Sequence, residues 1–305
     1  MKNTVDELRI LSLNGLLGYG FSLDSLEEGM KTYPHFIGVD AGSSDPGPYY
    51  LGSGKSLTKK LQVKRDLELS IESAIKAKIP FVIGSAGTSG GKPHLRFTEE
   101  IIKEIAEEKK LSLKLAIIHA DIDKKTVKKA LKEKRIRSLG ETVPPLTSET
   151  IDSAARIVGQ MGVDPFIRAF HGKPDIILAG RACDTAIFAA YPIIKGFEKG
   201  LSYHLAKILE CGALAGVPAS ASDCMCGLIG KDYFEVEPAS LSRCCTKVSV
   251  AAHSLYEQGS RFGFYEPEGY VDLSGCRFQE INSRRVRVSG STFNPCSGLQ
   301  TIKLE

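Results

Sequence analysis

Short apolar runs in this chain end in residues that can hold an anion or move a proton. The run Asp175–Gly180, DIILAG, is followed directly by Arg181 and then by Asp184. A guanidinium presents a planar fork that matches a carboxylate or phosphate, and an acid beside it either orients the fork or caps a helix starting there. The run ending at Asp40 opens into Asp40-Ala-Gly-Ser43-Ser44-Asp45, which places two carboxylates and two hydroxyls in a glycine-loosened turn. Two acids so placed can divide general-acid and general-base work or hold a cation. They can equally form an ordinary Asx turn with a helix cap.

The run Pro80–Gly84 leads into Ser85-Ala-Gly87-Thr88-Ser89-Gly90-Gly91-Lys92. Its glycines let a backbone approach an anion, and Ser85, Thr88 and Ser89 add hydroxyl donors, so carboxylate or phosphate binding competes here with a plain connection. The spacing G-x-x-G-x-x-G is not the dinucleotide fingerprint, and Gly54-Lys55-Ser56 lacks the earlier glycine of a P-loop. A fourth run ends at His119-Ala-Asp121-Ile-Asp123, where the histidine is either a proton shuttle with an aspartate fixing its tautomer or a strand-end residue before a helix capped by Asp123. In Leu201–Leu214, Lys207, Glu210 and Cys211 share one helical face, as a reactive acid or thiol or as a plain ion pair beside a packed cysteine. Asp223 and the pair His253 and Tyr256 can join the same cleft, while His35, His94, His171 and His204 have no acidic neighbour and receive no role.

These residues need a scaffold that brings strand ends together. Strands are predicted over Arg9–Leu13, Phe36–Asp40, Pro80–Gly84, Leu113–His119 and Asp175–Gly180. Helices are predicted over Ser22–Thr32, Leu57–Lys78, Thr98–Lys109, Lys124–Arg135 and Ser148–Met161, the first with a capping box of Ser25 and Glu28. Alternation of this kind predicts an α/β fold, a Rossmann-like, mostly parallel, doubly wound sheet over residues 1–200 with ligands at its carboxyl ends. Residues 201–305 read as a smaller α+β part, with a helix at Val248–Glu257 and strands at Val271–Leu273 and Arg285–Ser289. The strand-like run GLQTIKLE closes the sequence and suggests a chain cut inside a larger fold.

Composition narrows the classes. The net charge of +4 comes from mixed acids and bases, and the one lysine-rich stretch, Lys124–Arg137, reads as a solvated helix face rather than a nucleic-acid footprint. All eight cysteines follow residue 180, behind an N-terminus without an apolar signal segment, which favours reduced thiols in the cytoplasm. Cys224-x-Cys226 and Cys244-Cys245 lack zinc-ribbon spacing, so they read as packed core thiols. No run reaches the length of a membrane span.

A family resemblance runs through the same segments. The strings LNGLLGYGFSLDSL, GVDAGSSDPGPYYLG, GSAGTSGG, GRACDTAIFAA, AKILECGALAG, FEVEP, TKVSVAAHSLYE, DLSGCRF and RRVRVSGS resemble, in order, the N-terminal domain of the acyclic terpene utilisation AtuA family. The resemblance implies a place in the breakdown of citronellol- and geraniol-type terpenes through acyl-CoA intermediates, and relatives that continue beyond Glu305 or work with a small partner protein. It demotes Cys183 to packing and supplies no reaction. With the residue chemistry, it gives as first expectation an enzyme handling an anionic organic acid or its thioester by acid–base chemistry of the lyase or hydratase type. Substrate binding is expected from Ser43, Ser44, Ser85, Gly87, Thr88, Ser89 and Arg181, and catalysis from Asp40, Asp45, His119, Asp184 and Glu210. No cofactor is assigned and a divalent cation stays open, as does a homo-oligomer. The competing expectation is a non-catalytic subunit or binding module that needs a partner or a further C-terminal region.

Overall fold

The computed structural model describes residues 6–13, 15–43 and 46–305. Ser44 and Asp45, both expected at the site, lie outside the described residues. The chain runs through β1 (Leu8–Leu13), α1 (Leu23–Met30), β2 (Phe36–Gly42), α2 (Tyr49–Ser53), α3 (Lys60–Ala77), β3 (Phe81–Thr88), α4 (Lys92–Glu108), β4 (Leu115–Ile118) and α5 (Lys124–Lys132). It continues through α6 (Ser148–Ser153), α7 (Val163–His171), β5 (Ile176–Ala179), α8 (Asp184–Lys195) and α9 (Lys199–Glu210).

The five strands to this point lie parallel in the order β1-β2-β3-β5-β4. Each is apolar on both faces because helices cover both. Leu11, Leu13, Ile37, Val39, Phe81 and Ile83 pack against α1, α3 and α4. Their alternating neighbours Ile10, Phe36, Val82 and Ile177 pack against α7, α8 and α9. One step of topology creates the two layers. After the chain has built outward to β4 it steps back to insert β5, and a right-handed crossover in the reversed direction puts α7 on the opposite face. Adjacent strands β3 and β5 therefore feed helices on opposite faces, and their carboxyl ends diverge around a crevice.

Residues beyond α9 add β6 (Gly216–Val217), β7 (Cys224–Ile229), β8 (Tyr233–Pro238), β9 (Cys244–Cys245), α10 (Lys247–His253), β10 (Gly263–Glu266), β11 (Gly269–Asp272), β12 (Arg277–Glu280), β13 (Val286–Ser289) and β14 (Thr292–Pro295). Strands β7, β8, β13 and β12 extend the same sheet antiparallel beyond β1, giving nine strands among the described residues. The architecture is mixed α/β, with a parallel half carrying helices on both faces and an antiparallel half. A separate sheet of β10, β11 and β14 lies beside α9. No helix among the described residues is long and apolar enough to cross a membrane.

Several local expectations change. Ser22, not Ser25, is the N-cap of α1, and the Ser25 hydroxyl is buried without a hydrogen-bond partner, so the expected capping box is absent. A capping box opens α10, where Thr246 and Ser249 exchange bonds. The helix expected over Ser148–Met161 stops at Ser153, and α7 supplies the crossover instead.

Helix α8 seats on the sheet only because the strands beneath it carry glycine. A Cβ at Gly84 would lie 2.1 Å from the Ile187 Cδ1 atom, and one at Gly38 would lie 2.5 Å from the Phe188 ring. Gly90 is more constrained, with φ of +65° and a Cβ position 2.1 Å from the backbone nitrogen of Arg181. Gly90→Ala should cost about 2–4 kcal/mol from overpacking plus left-handed backbone strain. Gly52→Ala, whose Cβ meets nothing within 4 Å, should stay within about 0.5 kcal/mol of the parent. Urea denaturation of the two variants checks the contrast, and equal midpoints would contradict it.

Candidate functional site: a carboxyl cluster at the strand ends

The crevice collects acids from three elements. Asp40 comes from the end of β2, Asp184 is the first residue of α8, and Glu210 is the last of α9. Each offers a carboxylate oxygen, and these oxygens lie within 4.8 Å of one another. The side chains of Asp40 and Glu210 are buried in the cluster, Glu210 with 3 % of its surface exposed, and Asp184 is half-buried, so the three acids sit largely away from water. Two cations flank it. Lys207, one turn before Glu210, places Nζ 2.6 Å from Glu210 Oε1 and 3.6 Å from Glu257 Oε2. Arg181 donates from Nε to Glu305 Oε2 at 2.9 Å and from Nη2 to Glu305 Oε1 at 3.1 Å, and Lys303 meets the same carboxylate at 2.7 Å.

Three carboxyl groups this close cannot all ionise cheaply. Burial raises Asp40 well above the ordinary aspartate range, the charges of Asp184 and Glu210 add to it, and Arg181 opposes. Burial likewise raises Asp184 against Arg181 and Lys207. Glu210 is pushed to about 7 by burial first, with Lys207 pulling it down and Asp184 pushing it up. Burial works against the Lys207 charge, but Glu210, Asp184 and Glu257 together raise the ammonium's affinity for its proton. At neutral pH the crevice thus holds carboxyl protons beside fixed positive charge, which is the equipment of acid–base chemistry. The same three oxygens can also contact one divalent cation.

A second layer of acids adjoins the first. The Thr185 hydroxyl, next to Asp184, donates to Glu266 Oε1 at 2.7 Å. Glu268 accepts from the Tyr203 hydroxyl at 2.8 Å and from the Val163 backbone N–H at 3.1 Å, at the N-terminus of α7. Burial pushes Glu266 up to about 8; Thr185 opposes, while Glu268 and Asp184 add to the rise. Burial also drives the Cys183 and Cys211 thiols up, so neither is a thiolate nucleophile near neutrality.

Of the residues expected from the sequence, Asp40, Arg181, Asp184 and Glu210 meet in this crevice. The carboxyl end of β3, which runs on through Ser85 to Thr88, is not an open anion cradle. Ser85 Oγ accepts from the Ala182 N–H at 3.2 Å, Thr88 Oγ1 accepts from the Leu57 N–H at 3.1 Å, and the segment 81–91 is buried throughout. Gly87 packs against His94, Ser89 is buried in the same turn, and the Ser43 N–H donates to the Thr88 carbonyl at 3.0 Å. Ser85 and Thr88 hold positive φ of 46° and 83°, so this turn stores backbone strain to bring Arg181 against β3. His119 is exposed at the end of edge strand β4, outside the carboxyl cluster.

Glu257, Glu266, Glu268, Lys303 and Glu305 carried no sequence signal. EPEG between two short strands reads as a solvated turn, and Glu305 reaches Arg181 across 124 residues of chain. A groove of about 480 Å³ is lined by Lys92, Arg96 and Glu100 of α4 together with Asp121 and Arg156.

The Glu266 carboxyl makes stability fall with pH. Its folded value of about 8 exceeds the ordinary 4.5, so above pH 4.5 the unfolded chain releases a proton that the folded chain retains. Stability from this group is therefore lost progressively from about pH 4.5 to 8, the loss being complete above the folded value. Glu266→Gln keeps an acceptor for Thr185 and should flatten the pH dependence across that window, overtaking the parent at its alkaline end. Urea midpoints measured across the window check this, and parallel curves would contradict it.

The model of the family described as acyclic terpene utilisation family protein AtuA matches residues 60–216, which span α3 to β6 and include Arg181, Asp184, Lys207 and Glu210. No curated protein and no solved structure matches the chain. Since the family model covers about half the chain and takes in the core of the crevice, the protein belongs to the acyclic terpene utilisation AtuA family.

Proposed function

We propose that the chain is an enzyme of acyclic terpene utilisation that moves protons on an anionic organic acid or its thioester. The observation that carries this reading is the gathering of Asp40, Asp184 and Glu210 within 4.8 Å at one crevice. Family membership ties the chain to acyclic terpene utilisation, and the crevice suggests the type of step.

The roles follow from where each acid sits. Asp184 opens α8, where the helix dipole favours a negative charge, and Glu210 closes α9, where the dipole disfavours one. Burial, with the charge of Asp184, pushes Glu210 up to about 7, so in this reading Glu210 carries the shared proton. Asp184 then takes a proton from carbon adjacent to the substrate's carbonyl, and Glu210 delivers one to a departing hydroxyl; run backward, the same pair adds water across a double bond. Asp40 shares the proton between turns, Lys207 holds Glu210 in place, and Arg181 anchors the anionic end. The groove of Lys92, Arg96 and Arg156 suits the phosphates of a thioester carrier. The free cysteines suit a reducing cytoplasm.

A second reading follows from the same oxygens: a divalent cation held by the three carboxylates would polarise the substrate carbonyl in place of a proton. The Lys207–Glu210 ion pair at 2.6 Å favours the first reading, since it already supplies positive charge to Glu210. Asp184→Asn and Glu210→Gln, assayed on branched acyclic acids and their thioesters, should each lower kcat by about 10²–10⁴-fold with the fold retained. Undiminished turnover in either variant would contradict the proposal. A requirement for added magnesium or manganese that chelator removes would replace the first reading with the second.

A further inference from the structure

Arg181 is 4 % exposed, and a guanidinium so far from water demands a carboxylate partner. Asp40 and Asp184 are its neighbours in charge, yet neither is hydrogen-bonded to it among the described residues. The partner is Glu305, which engages Arg181 in the two-point fork that an external carboxylate would use. The two ends of this pair are held very differently. Arg181 is fixed on both sides of its backbone, its N–H donating to the Gly90 carbonyl at 3.1 Å and its carbonyl accepting from the Met161 N–H at 3.2 Å. Glu305 arrives on a segment without regular structure, whose residues 296–302 are exposed, and which is tied down through the Cys296 N–H to the Glu268 carbonyl and through backbone bonds between 303–305 and Val158 and Gln160.

We infer that Glu305 is a resident surrogate for the substrate's free carboxylate, and that ligands of this site are carboxylates which displace it from Arg181. The fork fixes the class: a planar, two-oxygen anion replaces another at the same donors, and a neutral amide or ester cannot. Displacement leaves Glu305 paired with Lys303, which already contacts it at 2.7 Å, so neither charge is stranded. This rests on the reading of the crevice as a substrate site, but not on the proton transfers assigned within it.

Calorimetric titration with 3-methylbutanoate tests it, with 3-methylbutanamide as the uncharged control. Glu305→Gln should bind the carboxylate at least about tenfold more tightly than the parent, the gain expected when charge-assisted hydrogen bonds no longer compete. The double variant Glu305→Gln with Arg181→Lys should lose that gain, and the amide should bind none of the proteins. Glu305→Asp, which keeps the charge but shortens the reach, should fall between, and it serves as the test if the glutamine variant fails to fold. Unchanged or weaker carboxylate binding on loss of the Glu305 charge would overturn the inference. So would equal binding of the amide. Because binding is read without turnover, its failure leaves the acid–base roles of Asp184 and Glu210 standing, and their failure leaves it standing.

Discussion

The site depends on carboxyl groups being held together where water is scarce. Three acids with oxygens inside 4.8 Å repel one another once ionised, and burial removes the solvent that would screen them. The chain meets that cost in two ways. It lets the cluster keep protons, as the upward movement of Asp40, Asp184 and Glu210 describes, and it borders the cluster with Lys207 and Arg181. Neither cation is left to the acids alone, since Lys207 also meets Glu257 and Arg181 takes Glu305. The result is an electrostatic balance that one proton or one anionic ligand can tip.

Topology makes this balance possible. The step back from β4 to β5 sends α8 to the face opposite α4, so Arg181 and Asp184 leave the sheet at its point of divergence. The α8–α9 pair then returns along the second face and ends with Glu210 above the strand that carries Asp40. Close packing enforces the register. Glycines at 38 and 84 admit the side chains of α8, and Gly90 lets the β3 turn lie against the Arg181 backbone. Ser85 serves this same assembly, since its hydroxyl secures the segment that carries Arg181 and Asp184, while the Thr88 hydroxyl ties down the connection before α3.

The parallel half of the sheet was legible because each strand is a compact apolar run followed by glycine or charge. Asp40, Arg181, Asp184 and Glu210 were legible for the same reason, as chemistry placed at element ends. The β3 turn misled, because strained buried turns and anion cradles use the same glycine-and-hydroxyl composition. His119 misled because its position at a strand end says nothing of which strand becomes the edge; β4 does, and the histidine faces solvent. Glu266, Glu268 and Glu305 were invisible because their burial is a tertiary event, set by a hairpin and a terminal segment folding over α7, α8 and α9. The antiparallel half shows the same limit: of its strands only β13 was expected, at Arg285–Ser289, and the joining of the main sheet through β7 depends on pairing with β1, which local pattern does not encode.

Carboxyl protonation in the crevice is the property from which the rest follows. Infrared or carbon-13 NMR titration of the carboxyl groups, comparing the parent with Glu210→Gln, reads it directly. The account predicts a carboxyl that remains protonated well above the ordinary glutamate range and titrates near 7 in the parent, and whose signal is lost or displaced in the variant. Full ionisation of Asp40, Asp184 and Glu210 below pH of about 5, where ordinary side-chain carboxyls have largely titrated, would contradict it.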